Sequence, residues 1–244
     1  MKKLGTFAGV FTPTILTILG VIMYLRMGWV VGNAGFGGAI LIIILAKMIT
    51  ITTGLSIAAI ATNTRVGAGG SYALISRSLG LEAGSAVGIP LYLSQTLGGA
   101  MYISGFTEAW VALFPTHDPM LTGISVLLLV LGISLLGAQF AMRTQYIIMF
   151  VIVVSLVSFF SAQADMAPSI TVWGNFSTAP FWAVFAIFFP AVTGIEAGAA
   201  MSGDLKDSKR SLPVGMLSAI VVSFFVYMAV AYFFDKLASP EALL

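Results

Sequence analysis

Seven apolar runs divide this sequence, at 10–31, 36–61, 84–114, 121–136, 145–161, 181–201 and 213–234. A helix rises 1.5 Å per residue, so about 20 residues cross a hydrocarbon core of roughly 30 Å; each run is about that long, the fourth being the shortest. Hydrophobic residues make up 59% of the chain and charged residues 8%, and the mean hydropathy is +1.05. These values exclude an ordinary soluble domain. In hydrocarbon every backbone polar group must be satisfied inside the protein, which leads to an all-α, polytopic membrane protein. The first run is too long for a cleaved signal peptide, holds Arg26 and is followed by no small-residue cleavage site.

The charges give this topology a direction. Lys2, Lys3, Arg65, Arg77, Arg143, Lys206, Lys209 and Arg210 fall on one side of a seven-span arrangement, and Lys236 falls on the other. The excess of basic residues marks the cytoplasmic side, so the N-terminus is expected in the cytoplasm and the chain in the cell (plasma) membrane as a multi-pass protein. There is no cysteine, and the single histidine, His117, lies in a Pro-Thr-His-Asp-Pro loop without partners for a metal site. The glycine-rich segment from Gly67 to Ser71 lacks the Lys-Ser/Thr ending of a phosphate-binding loop and reads as a tight turn. No hydrolase constellation, cofactor fingerprint or nucleic-acid motif is present, and neither an enzyme activity nor a cofactor is expected.

Two of the runs are broken. The sixth contains Phe188-Phe189-Pro190-Ala191-Val192-Thr193-Gly194-Ile195-Glu196-Ala197-Gly198, and the first contains Thr12-Pro13-Thr14-Ile15-Leu16-Thr17-Ile18-Leu19-Gly20. Proline removes a backbone donor and glycine weakens a helix, so both runs are expected to unwind at mid-membrane depth. Such unwinding is tolerated where the freed groups line a protected cavity. Runs one and six cross in opposite directions and stand five apart, the spacing of a five-plus-five inverted repeat. That reading divides the chain into a first five-helix repeat at 1–165 and the start of a second at 166–244. The remaining helices would then come from the same or another chain, with a fragment preferred over a split transporter or a smaller self-sufficient assembly.

A broken helix presents two kinds of group. The half that starts after the break turns free N–H groups toward the cavity and favours anions, while the half that ends before it offers carbonyls that favour cations. Gly20, Val21 and Ile22 are therefore candidate anion donors, with Gly194, Ile195 and Glu196 as the matching set. The carbonyls near Thr17, Ile18, Pro190 and Thr193 are candidate cation ligands. The Tyr102 phenol needs a polar partner at its depth. Glu196 and Lys47 are the ionisable side chains nearest mid-membrane and are coupling candidates.

An ordered set of segments resembles the cation–chloride cotransporters of the amino acid–polyamine–organocation superfamily. It comprises Leu16-Thr17-Ile18-Leu19-Gly20-Val21-Ile22-Met23-Tyr24-Leu25-Arg26-Met27, Gly69-Gly70-Ser71-Tyr72-Ala73-Leu74-Ile75-Ser76-Arg77-Ser78-Leu79-Gly80, Met101-Tyr102, and the run from Phe185 through Leu205. The resemblance implies secondary-active symport of chloride with K⁺, Na⁺ or both, by alternating access. K⁺ would be held at Thr17, Ile18, Tyr102, Pro190 and Thr193. One chloride would sit on Gly20, Val21 and Ile22 and a second near Gly194 and Ile195. The Na⁺ site of the family uses an eighth helix, so Na⁺ dependence stays open. A homodimer is a family-based expectation.

Two residues depart from the family pattern. Thr17 stands where Na–K–Cl members carry asparagine, and Glu196 stands where an apolar residue is expected. An ionised carboxylate about 4 Å from chloride repels it by about 4 kcal/mol at an effective dielectric near 20. Gly194-Ile195-Glu196-Ala197 also resembles the sixth-helix break of amino acid permeases, which would place a substrate carboxylate on helix one and its ammonium group near helix six. A non-transporting membrane interaction subunit is the alternative from another class.

Overall fold

A computed structural model describes residues 3–64, 67–136, 138–162 and 170–244. Lys2, Arg65 and the expected repeat boundary at 165/166 lie outside the described residues. Helices cover all seven apolar runs, and among the described residues the only strand-like pairing is one isolated bridge between Leu4 and Leu205.

The first run opens with a wide helical turn, Phe7–Phe11, and continues as α1, Thr12–Ile18. Helix α2, Val21–Asn63, contains a corner at Gly35 (φ 68°, ψ 175°). The stretch Phe7–Asn63 holds 57 residues, about 85 Å of helix, nearly three times a bilayer core. The corner divides it into two passes that fold back on each other. Both reach the same part of α9, Ser208–Leu237, where Val10 lies against Gly215 and Gly54 faces Ile220. Only glycine suits position 35, because a Cβ there would meet the Thr171 carbonyl at 2.6 Å and a positive φ strains any other residue.

After the turn at Gly69, α3, Gly70–Leu79, lies along α4, Leu81–Leu113. Gly70 packs on the Ala200 backbone and the Ser202 hydroxyl donates to the Gly67 carbonyl, so the glycine-rich loop is a packing turn against the end of the sixth run. Helices α5, Pro119–Leu135, and α6, Ala138–Phe160, follow. The sixth run resolves into α7, Phe181–Phe188, a tight turn Phe189–Val192, and α8, Glu196–Ala200. Helix α9 and the short α10, Pro240–Leu243, complete the chain.

By length and composition, Phe7–Asn63, Met142–Phe160, Phe181–Asp204 and Ser208–Leu237 are apolar enough to cross a membrane. Helix α5 is apolar but shorter, at 17 residues. The buried core lies where α2, α7 and α9 meet, around Met27, Ile42, Phe188, Met216 and Tyr227. Helix α4 packs less deeply, tied to α2 by an Arg26–Glu108 ion pair at 2.8 Å in which both side chains are exposed. His117 is an exposed loop residue, as its sequence context suggests, and its Nδ1 accepts a hydrogen bond from the Trp110 indole at 2.8 Å.

Candidate functional site

Both breaks occur at the expected residues. Helix α1 ends at Ile18, Leu19 leaves helical geometry (φ −82°, ψ 39°), Gly20 is extended (φ −90°, ψ −162°), and α2 begins at Val21. Helix starts leave their first N–H groups without carbonyl partners one turn back, and no side chain caps this one. In the sixth run, Pro190 forms part of a tight turn, Thr193 is extended (φ −80°, ψ −178°), and Gly194 takes a positive φ of 93°. The Thr193 hydroxyl donates back to the Pro190 carbonyl at 2.8 Å.

The two breaks meet. The Thr17 hydroxyl lies 2.9 Å from the Gly194 carbonyl, as well as 2.8 Å from the Thr14 carbonyl of its own helix. A Cβ on Gly194 would stand 2.8 Å from both Thr17 Cβ and Oγ1, so this crossing needs glycine for its backbone angle and for its lack of side chain. Behind them, Tyr227 of α9 is fully buried, and its hydroxyl sits 2.6 Å from the Ile18 carbonyl and 2.8 Å from the Ala191 carbonyl. One side chain on the seventh run thus touches the end of each broken half-helix.

A cavity of about 780 Å³ opens in front of this junction. Six residues singled out from the sequence reach its wall: Thr17, Tyr102, Thr193, Gly194, Ile195 and Glu196. The others lie elsewhere. The Ile18 carbonyl is held by Tyr227, and Pro190 accepts from Thr193. Gly20, Val21 and Ile22 sit to one side, where the Val21 side chain packs on Gly105 of α4, one turn from Tyr102. Lys47 is buried behind the junction, where its Nζ donates to the Ser223 hydroxyl at 2.6 Å and lies 5.3 Å from the centre of the Tyr227 ring.

The sequence reading missed Tyr227, and it missed the polar residues that complete the wall, Thr50 and Thr53 from α2 and Ser94 and Gln95 from α4. Thr50 and Thr53 stand three apart, a spacing that places them on one helix face, whereas Ser94 and Gln95 are neighbours in sequence with no such partner. A search for polar residues at helical spacing on the runs beside the breaks would have found Thr50 and Thr53.

Glu196 opens α8, a single turn. A helix start favours negative charge, and here a carboxylate belonging to the chain already occupies that position. The wall therefore joins hydroxyls, an amide and a carboxylate around unwound backbone, groups that can replace the hydration shell of a cation or hold an ammonium group.

The family model for amino acid permeases matches residues 9–237. The chain belongs to the amino acid permease family. This permease-family chain is 37% identical over 260 residues to solute carrier family 12 member 1 of Mus musculus, covering 94% of the chain and 23% of that relative. It is 36% identical over 254 residues to member 2 of Homo sapiens, covering 94% and 21%. With member 8 of Mus musculus it shares 35% identity over 261 residues, 98% of the chain and 36% of the relative. The permease-family chain thus spans between a fifth and about a third of the length of these relatives. The matches bear out the cotransporter resemblance drawn from the segments around Gly20, Gly70, Tyr102 and Pro190. The matched proteins are named as a permease and as solute carriers, which are not enzymes.

Proposed function

We propose that this chain carries the paired-break portion of a secondary-active transporter that moves chloride together with K⁺, Na⁺ or both by alternating access. The observation that carries this reading is the junction itself. Two unwound helix segments are joined through Thr17 and Gly194, tied together by Tyr227, and face a cavity with hydroxyl-bearing walls. In this reading a cation lies at the wall formed by Thr17, Thr193 and Tyr102, and chloride uses the free amides at the start of α2. The second anion position near Gly194 and Ile195 is disfavoured by Glu196, whose charge meets the preference of that helix start.

The fold is read as the first repeat and the beginning of the second in a five-plus-five inverted arrangement, with the N-terminus in the cytoplasm. Solute carrier family 12 relatives and the crossing of the two broken runs support this. The test is uptake of ⁸⁶Rb⁺ and ³⁶Cl⁻ by the full-length gene product in proteoliposomes. Rubidium uptake that requires chloride supports symport, whereas flux of either ion alone refutes it.

A second reading, amino acid permeation, is favoured by the size of the cavity and by Glu196 on its wall. A cavity of about 780 Å³ has room for roughly two dozen waters, more than bare ions require and within the range of organic-ligand pockets. Amino acid exchange independent of chloride would select this reading.

A further inference from the structure

We infer that Lys47 is a proton-binding site that loads and unloads during the transport cycle and acts on the helix breaks through Tyr227. The inference rests on the transport reading above and adds a proton to the species that the cycle carries.

The geometry starts from an unmatched set of donors. Lys47 is 1% exposed, and among the described residues no carboxylate pairs with it. An ammonium group has three N–H donors. Among the described residues it finds one oxygen acceptor, the Ser223 hydroxyl at 2.6 Å, which itself donates a hydrogen bond to the Ile220 carbonyl at 2.9 Å. The Tyr227 ring face at 5.3 Å supplies the remaining polar contact. A neutral amine fits this arrangement, with one N–H on Ser223 and the other toward the ring face, while an ammonium needs a further acceptor or an open path to water.

The surroundings couple that need to the site. Tyr227, whose ring carries Lys47, holds the Ile18 and Ala191 carbonyls through its hydroxyl. Thr50, one turn beyond Lys47 on α2, lies 3.4 Å from the Val192 carbonyl and also lines the cavity. Three residues of helix rise about 4.5 Å, so parting the Thr50–Val192 contact brings cavity water to within one turn of the amine. The other groups facing this cluster are few. Helix α9 contributes Ser223 and Tyr227, the turn Phe189–Val192 contributes carbonyls only, and α1 contributes the Ile18 carbonyl. Tyr24 and Tyr102 are the further titratable side chains that bear on Tyr227.

In the cycle, the amine takes a proton from hydronium in water that has entered the cavity, and the added N–H donor turns to a carbonyl that Tyr227 or Thr50 now occupies. That competition loosens the junction. Return of the proton to water on the other side restores the closed arrangement. As the N–H bond forms, an O–H bond of hydronium breaks and leaves water; on release the N–H bond breaks as a water on the other side gains the proton.

The experiment uses the full-length protein in proteoliposomes loaded with a pH-sensitive dye, beside ⁸⁶Rb⁺ uptake measured across a pH series. Wild type is expected to move protons when an ion gradient is applied, with uptake changing up to about tenfold per pH unit on one flank, as for a single proton. Lys47→Met and Lys47→Arg are expected to lose both responses. Ion-driven proton movement that persists in Lys47→Met, or superimposable pH profiles, overturns the inference. If wild type carries no tracer, the transport reading fails, and ¹³Cε-lysine NMR of the same protein decides this one separately. A resonance that vanishes in Lys47→Arg and changes protonation state within the folded pH range supports it. A resonance that stays ammonium throughout overturns it.

Discussion

Replacing Tyr227 with phenylalanine removes one oxygen and leaves the ring, with its edge contact to Phe188 (centroids 5.5 Å apart) and its face toward Lys47. The hydroxyl has one proton and two acceptors, the carbonyls of Ile18 at 2.6 Å and Ala191 at 2.8 Å, so the substitution costs one hydrogen bond and not two. An interhelical hydrogen bond in a membrane protein contributes about 0.6 kcal/mol on average and up to about 1.7. Leaving a buried acceptor without a donor costs about 1–3 kcal/mol. Ile18 and Ala191 are both buried, so the expected loss is about 1–2 kcal/mol, a factor of 5–30 in the folded-to-unfolded ratio. The assay is denaturant unfolding of full-length Tyr227→Phe in micelles, followed by tryptophan fluorescence, with uptake measured in parallel. A loss below about 0.3 kcal/mol, well under the average interhelical bond, together with unchanged uptake, would refute the idea that this hydroxyl ties the two breaks.

Three further perturbations test the same geometry. Gly194→Ala forces a Cβ to 2.8 Å from Thr17 and strains a positive φ; we expect about 1–3 kcal/mol of destabilisation and loss of uptake, while a wild-type melting curve would contradict the crossing. Glu196→Leu removes the carboxylate from the cavity wall and should raise apparent chloride affinity in ³⁶Cl⁻ uptake. Unchanged chloride dependence and pH profile would remove Glu196 from the coupling machinery. Asn33→Ala leaves the Thr178 hydroxyl, now 2.7 Å from Asn33 Oδ1, without its acceptor, and also removes the Nδ2 bond to the Trp29 carbonyl. A loss of about 1–3 kcal/mol in the same unfolding assay is expected, and a change within experimental error would show that the contact is dispensable.

The breaks were legible because their chemistry is local. Pro190 removes a donor from its own helix, Gly20 weakens the helix it interrupts, and Gly194 takes a positive φ that its neighbours resist, so the unwound residues could be named from the sequence. The return between the first two passes was also legible as a gap in the apolar pattern, although the special role of Gly35 depends on Thr171 and Gly174, more than a hundred residues away. Tyr227 was not legible for a related reason. In an apolar helix a tyrosine has no local signature for what its hydroxyl meets, and here the partners lie 209 and 36 residues away in sequence. The same limit explains Ile18. Its place at the end of α1 was evident, but only tertiary packing decides whether that carbonyl meets the cavity or a neighbouring phenol.

The two broken helices are fastened at both ends. At one end, Leu4 donates to the Asp204 carbonyl at 2.8 Å and accepts from Lys206 at 2.9 Å. At the other, the corner around Gly35 is laced to the segment before α7, with Phe36 bonded to Thr171, Gly37 to Val172, Gly174 to Ala34 and Phe176 to Asn33. Because the fastened ends pair the beginning of each run with the end of the other, the runs must lie antiparallel. They behave as a pair of staves clamped top and bottom, able to bow at the middle but unable to slide past each other. Helix α4, held to them more lightly, forms the facing wall of the cavity through Ser94, Gln95 and Tyr102.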